Sequence, residues 1–298
     1  MRFVTFSDAG QARAGVFVPG DGEDGNYILD LAHPAYLACL GGVAPNLLDM
    51  IESGLDSIAE KIAAQGNSWD AARLAISSIK LLAPLPHPPR IVGAAHNYRC
   101  AIAERGIVAP DEPIFFEKNS DTVIGPDAPV ILPAGAGGVT YEAEFAAVIG
   151  HFAQNVTVAD AMNYVAGYTL FNDVSASEVI RRDGNFERGK NFPTFGPMGP
   201  WLVTPEEIDP VMGARVTLDI DGVLRQNGTT ADLLFSIAEM ISRLSRERPL
   251  TVGTVIATGT PAGVAPMQSP PTWLASGTVM TVAIEGLGRL SNPVQSEA

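Results

Sequence analysis

The chain has 298 residues, and 19 Lys and Arg against 33 Asp and Glu give a formal net charge of −14. A hydrophobic share of 46% with 17% charged residues is typical of a globular protein and excludes a disordered one. The acidity argues against nucleic acid or an anionic membrane surface as the main partner, and the length predicts one large domain or one domain with a small companion.

The first part of the chain differs in pattern from the rest. Short strands are predicted at Arg2–Phe6, Ala14–Val18 and Tyr27–Leu29, with a hairpin turn at Gly20–Gly25. Apolar residues at helical spacing follow between Leu47 and Ile76. Four prolines between Pro84 and Pro89 then make a stiff connector. We therefore predict a small N-terminal domain over residues 1–83 and a catalytic domain over residues 84–298.

The second part is rich in strands. Strands are predicted at Ile91–Gly93, Val130–Leu132, Glu144–Ile149, Val216–Ile220, Val252–Ala257 and Val279–Ile284. Helices are predicted at Arg99–Arg105, Val158–Asn163 and Thr230–Leu244. Because strands and helices do not alternate regularly, the pattern favours a β-rich α+β fold over a doubly wound parallel sheet.

Two nucleotide-binding patterns occur in unsuitable contexts. Gly20–Gly25 matches the dinucleotide fingerprint, but a strand pattern and not a helix follows it. Gly184–Lys190 has the spacing of a phosphate loop, but Asn191 stands where Ser or Thr would hold magnesium. We reject nucleotide binding at both segments.

The most informative cluster is acidic. Glu142 and Glu144 are two apart, so on a strand they share one face and enter an apolar segment together. Asp173 follows a second apolar run. Three carboxylates with water suit Mg²⁺ or Mn²⁺, because a divalent cation offsets their repulsion. The alternative is that both glutamates lie on a solvated strand face.

These segments resemble the fumarylacetoacetate hydrolase family over most of Pro84 to Val294. The resemblance is carried by the following segments: Tyr141–Gly150, Tyr168–Ser175, Gly189–Phe192, Phe195–Trp201, Arg225–Gln226 and Ile256–Val264. It implies a roll-like β-rich catalytic domain, Mg²⁺ or Mn²⁺ held by Glu142, Glu144 and Asp173, and a homodimer. It also implies a small anionic keto-acid substrate that is hydrolysed at a C–C bond, decarboxylated or isomerised.

The same resemblance suggests roles for other residues. Lys190 would place positive charge beside a developing enolate. Gln226 and Thr260 offer neutral donors for a substrate carboxylate, and we assign further substrate contacts to Tyr98 and Arg99 of a lid segment and to Tyr141. The candidates for substrate binding are therefore Gln226, Thr260, Tyr98, Arg99 and Tyr141.

The lid departs from the family pattern. Family hydrolases usually carry Asn-Tyr-x-x-His-x-x-Glu, in which His and Glu activate water; here Glu104 is present, but Ala101 replaces the histidine. His96 is a candidate replacement, and Ser177 stands where the family often has Arg. We expect a metal-dependent C–C bond hydrolase of a small 2,4-diketo acid. A decarboxylase or isomerase tolerates Ala101 better, and a ligand-binding member without catalysis is the third possibility.

The cellular setting is inferred from absences in the sequence. Two cysteines, Cys39 and Cys100, cannot form a disulfide framework or a zinc cage. The N-terminus has no signal-peptide pattern and no apolar run reaches about 18 residues. We expect a cytoplasmic protein that has no membrane partner.

Overall fold

A computed structural model describes residues 1–20, 25–65, 72–209 and 213–297. The strands are β1 (Arg2–Asp8), β2 (Gln11–Val18), β3 (Tyr27–Asp30), β4 (Arg73–Ala75), β5 (Lys80–Leu81), β6 (Ile91–Ala95), β7 (Ile114–Lys118), β8 (Val123–Ile124), β9 (Val130–Leu132), β10 (Val139–Thr140), β11 (Ala143–Ile149), β12 (Val165–Asn172), β13 (Ser175–Ala176), β14 (Gly196–Val203), β15 (Arg215–Ile220), β16 (Val223–Thr229), β17 (Val255–Ala257), β18 (Val279–Ile284) and β19 (Gly288–Ser296). The α-helices are α1 (Pro34–Leu40), α2 (Leu47–Glu52), α3 (Leu55–Ala64), α4 (Arg99–Arg105), α5 (Ser177–Asp183), α6 (Glu187–Lys190) and α7 (Ile237–Glu247).

Two sheets organise the described residues. The larger has 12 strands, with β4-β3-β2-β1-β14-β12-β11-β17-β6-β7 in order and β5 and β8 beside β1 and β14. The second has the order β16-β15-β18-β19-β9. Residues from both sheets, such as Phe145 and Val282, meet in one apolar core and are almost completely buried. The predicted β-rich α+β class is confirmed.

The N-terminal strands belong to the larger sheet. β1 pairs antiparallel with β14, with Phe3 opposite Leu202. β2 and β3 form the predicted antiparallel hairpin, although residues 21–24 of its turn, which include most of the rejected fingerprint, lie outside the described residues. The division at residues 83 and 84 stays a prediction.

Several helix predictions differ from the structure at their ends. The segment from Leu47 to Ile76 contains two helices, because Gly54 between them has a φ of 97°; residues 66–71 lie outside the described part. The helix predicted over Thr230–Leu244 begins later along the chain in the structure. α7 begins after Ser236, whose side chain accepts from the Glu239 N–H in a capping box.

Two other predicted elements are shorter in the structure. Val158–Asn163 was predicted as a helix, but the structure has a 3₁₀ turn at Ala161–Tyr164. The strand predicted from Val252 begins only at Val255, because Gly253 has a φ of 80°. The lid segment Arg99–Arg105 is helical as predicted.

Among the described helices, none combines the length and apolar character needed to cross a bilayer.

Candidate metal centre and cleft

Strand pairing brings three carboxylates together at one edge of the larger sheet. β11 and β12 are antiparallel, with Glu144 opposite Phe171, so the start of β11 lies beside the end of β12. Glu142 and Glu144 stand at that start, and Asp173 follows β12 directly. One carboxylate oxygen from each lies within 4.8 Å of the others. The predicted convergence of Glu142, Glu144 and Asp173 is therefore present.

Backbone and side-chain contacts hold the carboxylates in place. The Gly259 N–H donates to Glu144 Oε2 at 2.9 Å, and the Asp173 N–H donates to the Glu142 carbonyl at 2.9 Å. Gly259 has a φ of 93°, and a Cβ there would lie 2.9 Å from the Ala94 carbonyl oxygen, so this close approach requires glycine. Glu144 and Asp173 are almost fully buried.

Two buried lysines balance much of this negative charge. Lys190 Nζ donates to Glu142 Oε2 at 2.7 Å and also to Asp173 Oδ2. Lys118 Nζ lies 2.9 Å from Asp173 Oδ1 in an ion pair, although their angles do not meet hydrogen-bond geometry. Three carboxylates facing two ammonium groups leave one negative charge uncompensated.

Burial and neighbouring charges shift the pKa values of these groups in opposite directions. Burial, with the charges of Asp173 and Glu142, raises the pKa of Glu144 well above its usual range. Burial alone would raise the pKa of Asp173, but Lys118 and Lys190 lower it. Burial likewise opposes the charged form of Lys190, but Asp173 and the two glutamates raise its pKa above the usual range. The ion pairs of Lys190 with Glu142 and Asp173 therefore favour its charged form.

The donor set fits a hard divalent cation. It consists of carboxylate oxygens alone, as Mg²⁺ and Mn²⁺ prefer, and it carries an excess negative charge in a buried position. Asp173 Oδ1 is buried and makes no hydrogen bond with described residues. A dication would relieve the repulsion that raises the pKa of Glu144. Glu142, Glu144 and Asp173 are therefore the residues that would hold it.

A cleft of about 190 Å³ opens beside the carboxylates. The parallel strands β6 and β17 end at its rim and deliver His96 and Thr260 to the wall, together with Glu142, Glu144 and Lys190. Two phenylalanines, Phe116 and Phe186, add an apolar surface, and Lys190 Nζ lies 4.8 Å from the ring centroid of Phe116.

His96 differs from the other residues of the cleft wall in its backbone conformation and in its unpartnered ring nitrogen. Its φ is 54°, in the left-handed region that non-glycine residues rarely adopt. The Nδ1 atom is buried and has no hydrogen-bond partner among the described residues. Burial, followed by the charges of Arg105 and Lys190, lowers the pKa of His96 below 6.5. The imidazole is therefore neutral near pH 7.

The lid helix α4 carries Ala101 and Glu104, and the structure places both away from the described cleft wall. Ala101 is buried. The Gly263 N–H donates to both carboxylate oxygens of Glu104 at 3.1 Å, and Glu104 is not among the described residues that line the cleft. In this arrangement Glu104 ties the lid to the loop before Val264, a residue of the cleft wall.

Of the five predicted substrate contacts, only Thr260 is among the described residues that line the cleft. Gln226 is buried: its Nε2 donates to Thr260 Oγ1 at 2.8 Å, and its Oε1 accepts from the Ala143 N–H at 2.9 Å. Both ends of this amide therefore serve to hold the strands.

The aromatic and lid candidates also lie elsewhere. Tyr98 is buried. The Tyr141 hydroxyl donates a hydrogen bond of 3.2 Å to the Gly263 carbonyl oxygen. Arg99 donates to the Leu233 carbonyl and lines a separate groove. In this conformation these three residues support the loops around the cleft.

The structure also brings three cationic residues to this region that no sequence motif indicates. Lys118 ends β7 inside the carboxylate cluster, and Arg105 and Arg181 line the cleft. For Lys118 a buried position after an apolar strand was the available signal. For Arg181 it was the spacing of four from Ser177, which places both on one face of α5.

Comparison with known proteins identifies the family. The family sequence model described as fumarylacetoacetate (FAA) hydrolase C-terminal matches residues 90–295. The mitochondrial oxaloacetate tautomerase of Xenopus laevis is 36% identical over 299 residues, covering 99% of this chain and 90% of the relative. Maleylpyruvate hydrolase from Sphingobium sp. SYK-6, solved with manganese(II) and pyruvate, has a TM-score of 0.80 at 29% identity, with 100% of each chain covered. The 5-carboxymethyl-2-hydroxymuconate delta-isomerase of Mycobacterium smegmatis has a TM-score of 0.78 at 29% identity, again with 100% of each chain covered. The chain therefore belongs to the fumarylacetoacetate hydrolase family of enzymes.

Proposed function

We propose that this enzyme is a divalent-metal-dependent keto–enol tautomerase of a small 2-keto acid. The observation that carries the proposal is the composition of the cleft. It contains His96, whose Nδ1 has no partner among the described residues, and Lys190, which is ion-paired with Glu142 and Asp173, whereas the lid carries Ala101 and a Glu104 bound to the Gly263 N–H. Tautomerisation needs proton transfer and charge stabilisation but no activated water. The relative named oxaloacetate tautomerase supports the same reaction class.

The residues divide the chemistry between them. Bound Mg²⁺ or Mn²⁺ would supply Lewis-acid polarisation of the keto oxygen. The neutral imidazole of His96 takes the proton from C3 of the substrate as the C2–C3 double bond forms, and returns it to the C2 oxygen. Lys190 keeps positive charge beside the carboxylates throughout, because Asp173 and Glu142 hold it protonated.

The second candidate is the C–C bond hydrolase expected from the sequence. The specific observation in its favour is that Glu104 lies on the lid close to the cleft wall, through Gly263. A movement of α4 that released this contact would free a carboxylate for water activation. Hydrolysis then needs a partner base, for which His96 is the candidate.

The experiment supplies both substrates to the Mg²⁺-loaded protein. Ketonisation of enol oxaloacetate is followed by absorbance, and pyruvate is measured after incubation with an acylpyruvate; CO₂ release from oxaloacetate detects decarboxylation. We expect rapid ketonisation above the rate with free Mg²⁺, with no acylpyruvate cleavage. Cleavage to pyruvate and a free acid would establish the hydrolase instead, and metal binding without turnover of either would contradict both.

A further inference from the structure

The cleft contains two guanidinium groups that the tautomerase chemistry does not use. Arg105 is the last residue of α4, and Arg181 lies on α5; both line the cleft that contains Glu142, Glu144 and Lys190. Arg181 is exposed and Arg105 is half-buried, and neither guanidinium group makes a hydrogen bond or ion pair with a described residue, in contrast to Arg188, which pairs with Asp183.

The two carboxylates of α5 do not pair with Arg181. Glu178 is three residues before Arg181 on α5, but its carboxylate packs against Gly137: a Cβ there would lie 2.1 Å from Glu178 Oε2. Asp183 pairs with Arg182 and Arg188. Arg181 therefore remains available to an anion in the cleft.

The positions of the cations separate two functions. Lys190 faces the carboxylate cluster, where it forms ion pairs with Glu142 and Asp173. Arg105 and Arg181 are supplied by two different helices and have no such carboxylate partner in the described chain. The planar guanidinium fork matches a carboxylate with two parallel hydrogen bonds.

We propose that Arg105 and Arg181 form a subsite for a second carboxylate of the substrate, remote from its 2-keto acid end. The enzyme then selects 2-keto diacids over monoacids of equal length. The inference rests on the proposed function for the orientation of the substrate, with the 2-keto acid end toward Glu142, Glu144 and Asp173. It also explains how a protein of net charge −14 attracts a dianion, by concentrating cations at the cleft.

Binding of two matched, unreactive ligands tests this subsite without any turnover. L-Malate and 2-hydroxybutyrate have the same four-carbon chain and the same 2-hydroxy acid end, but only malate carries a second carboxylate. Calorimetry on the Mg²⁺-loaded protein should give about 10–100-fold tighter binding of malate, the range for charged hydrogen bonds. Arg181→Gln and Arg105→Gln should each reduce this preference about tenfold or more, and Arg181→Lys should retain part of it.

Arg182→Gln is the matched control, because Arg182 is, like Arg181, an exposed arginine of α5, but it is paired with Asp183 and is not among the described residues that line the cleft. It should leave the preference unchanged, and thermal unfolding should verify that every variant is folded. Equal binding of the two ligands, no malate binding, or an intact preference in both glutamine variants overturns the subsite. Ketonisation without an arginine-dependent preference would leave the tautomerase standing, whereas an arginine-dependent preference without ketonisation would leave only the subsite.

Discussion

Asp173→Asn tests the buried cluster through its charge alone, because asparagine has nearly the same shape as aspartate. The carboxylate of Asp173 is 1% exposed and pairs with Lys118 at 2.9 Å and with Lys190. Removing one partner of a buried ion pair costs about 3–5 kcal/mol. At about 2–4 °C per kcal/mol for a chain of this size, we expect the melting temperature in EDTA to fall by roughly 6–20 °C.

The same variant should lose the divalent cation. Loss of second-shell partners alone weakens metal affinity about 10–100-fold, so loss of a direct carboxylate ligand should exceed about 100-fold. Titration calorimetry with Mn²⁺ measures this. Asp121→Asn, at an exposed position in the turn Ser120–Thr122, is the matched control and should bind Mn²⁺ like the wild type.

The pH dependence gives a third readout. The lysines lower the pKa of Asp173, so its contribution to stability is complete above its unfolded pKa of about 3.9 and is lost as the pH falls through the lowered value. The difference between wild type and Asp173→Asn should therefore be constant from pH 7 to 5 and narrow below about pH 4. Unchanged Mn²⁺ affinity together with unchanged melting would refute the assignment of Asp173.

Three further predictions concern the cleft. Because the pKa of His96 is lowered below 6.5, kcat/KM for ketonisation should fall only as the pH drops through that lowered value. His96→Gln should abolish this fall at acid pH and reduce kcat/KM about 10²–10⁴-fold, and an unchanged pH profile in the variant would exclude His96 as the base. Ala101→His should raise the rate of acylpyruvate cleavage if the missing lid histidine limits that rate, and it should reduce the free energy of unfolding by about 1–3 kcal/mol because Ala101 is buried. A variant that is folded by circular dichroism but cleaves no faster would mean that Ala101 does not limit cleavage. Gly189→Ala should destabilise the fold by about 1–3 kcal/mol, because the new Cβ would lie 2.4 Å from Ile180 Cγ1. Adding Ile180→Ala should recover part of the melting temperature, and equal melting temperatures of Gly189→Ala and the wild type would contradict this packing.

The convergence of the three carboxylates is the part of the site that the sequence predicts best. Glu142 and Glu144 precede an apolar strand, and Asp173 follows another, so pairing those strands antiparallel is sufficient to bring the three together. The pairing itself had to be inferred through a resemblance, because spacing of 29 to 31 residues along the chain does not specify which strand ends are neighbours.

The substrate contacts were harder to predict because a polar side chain has more than one possible partner. Gln226 is rich in donors and acceptors, and in the structure its amide holds Thr260 and the Ala143 backbone. In contrast, Arg105 and Arg181 read as solvated surface residues in the sequence. Their common cleft depends on how α4 and α5 pack against the sheet, which periodicity does not determine.

Anomalous diffraction from crystals grown with Mn²⁺ and oxalate tests the central claim most directly. We expect a manganese peak coordinated by oxygen atoms of Glu142, Glu144 and Asp173, with oxalate on the side of the cleft. The absence of a peak there, with the three carboxylates bound only by lysines and water at saturating Mn²⁺, would contradict the account.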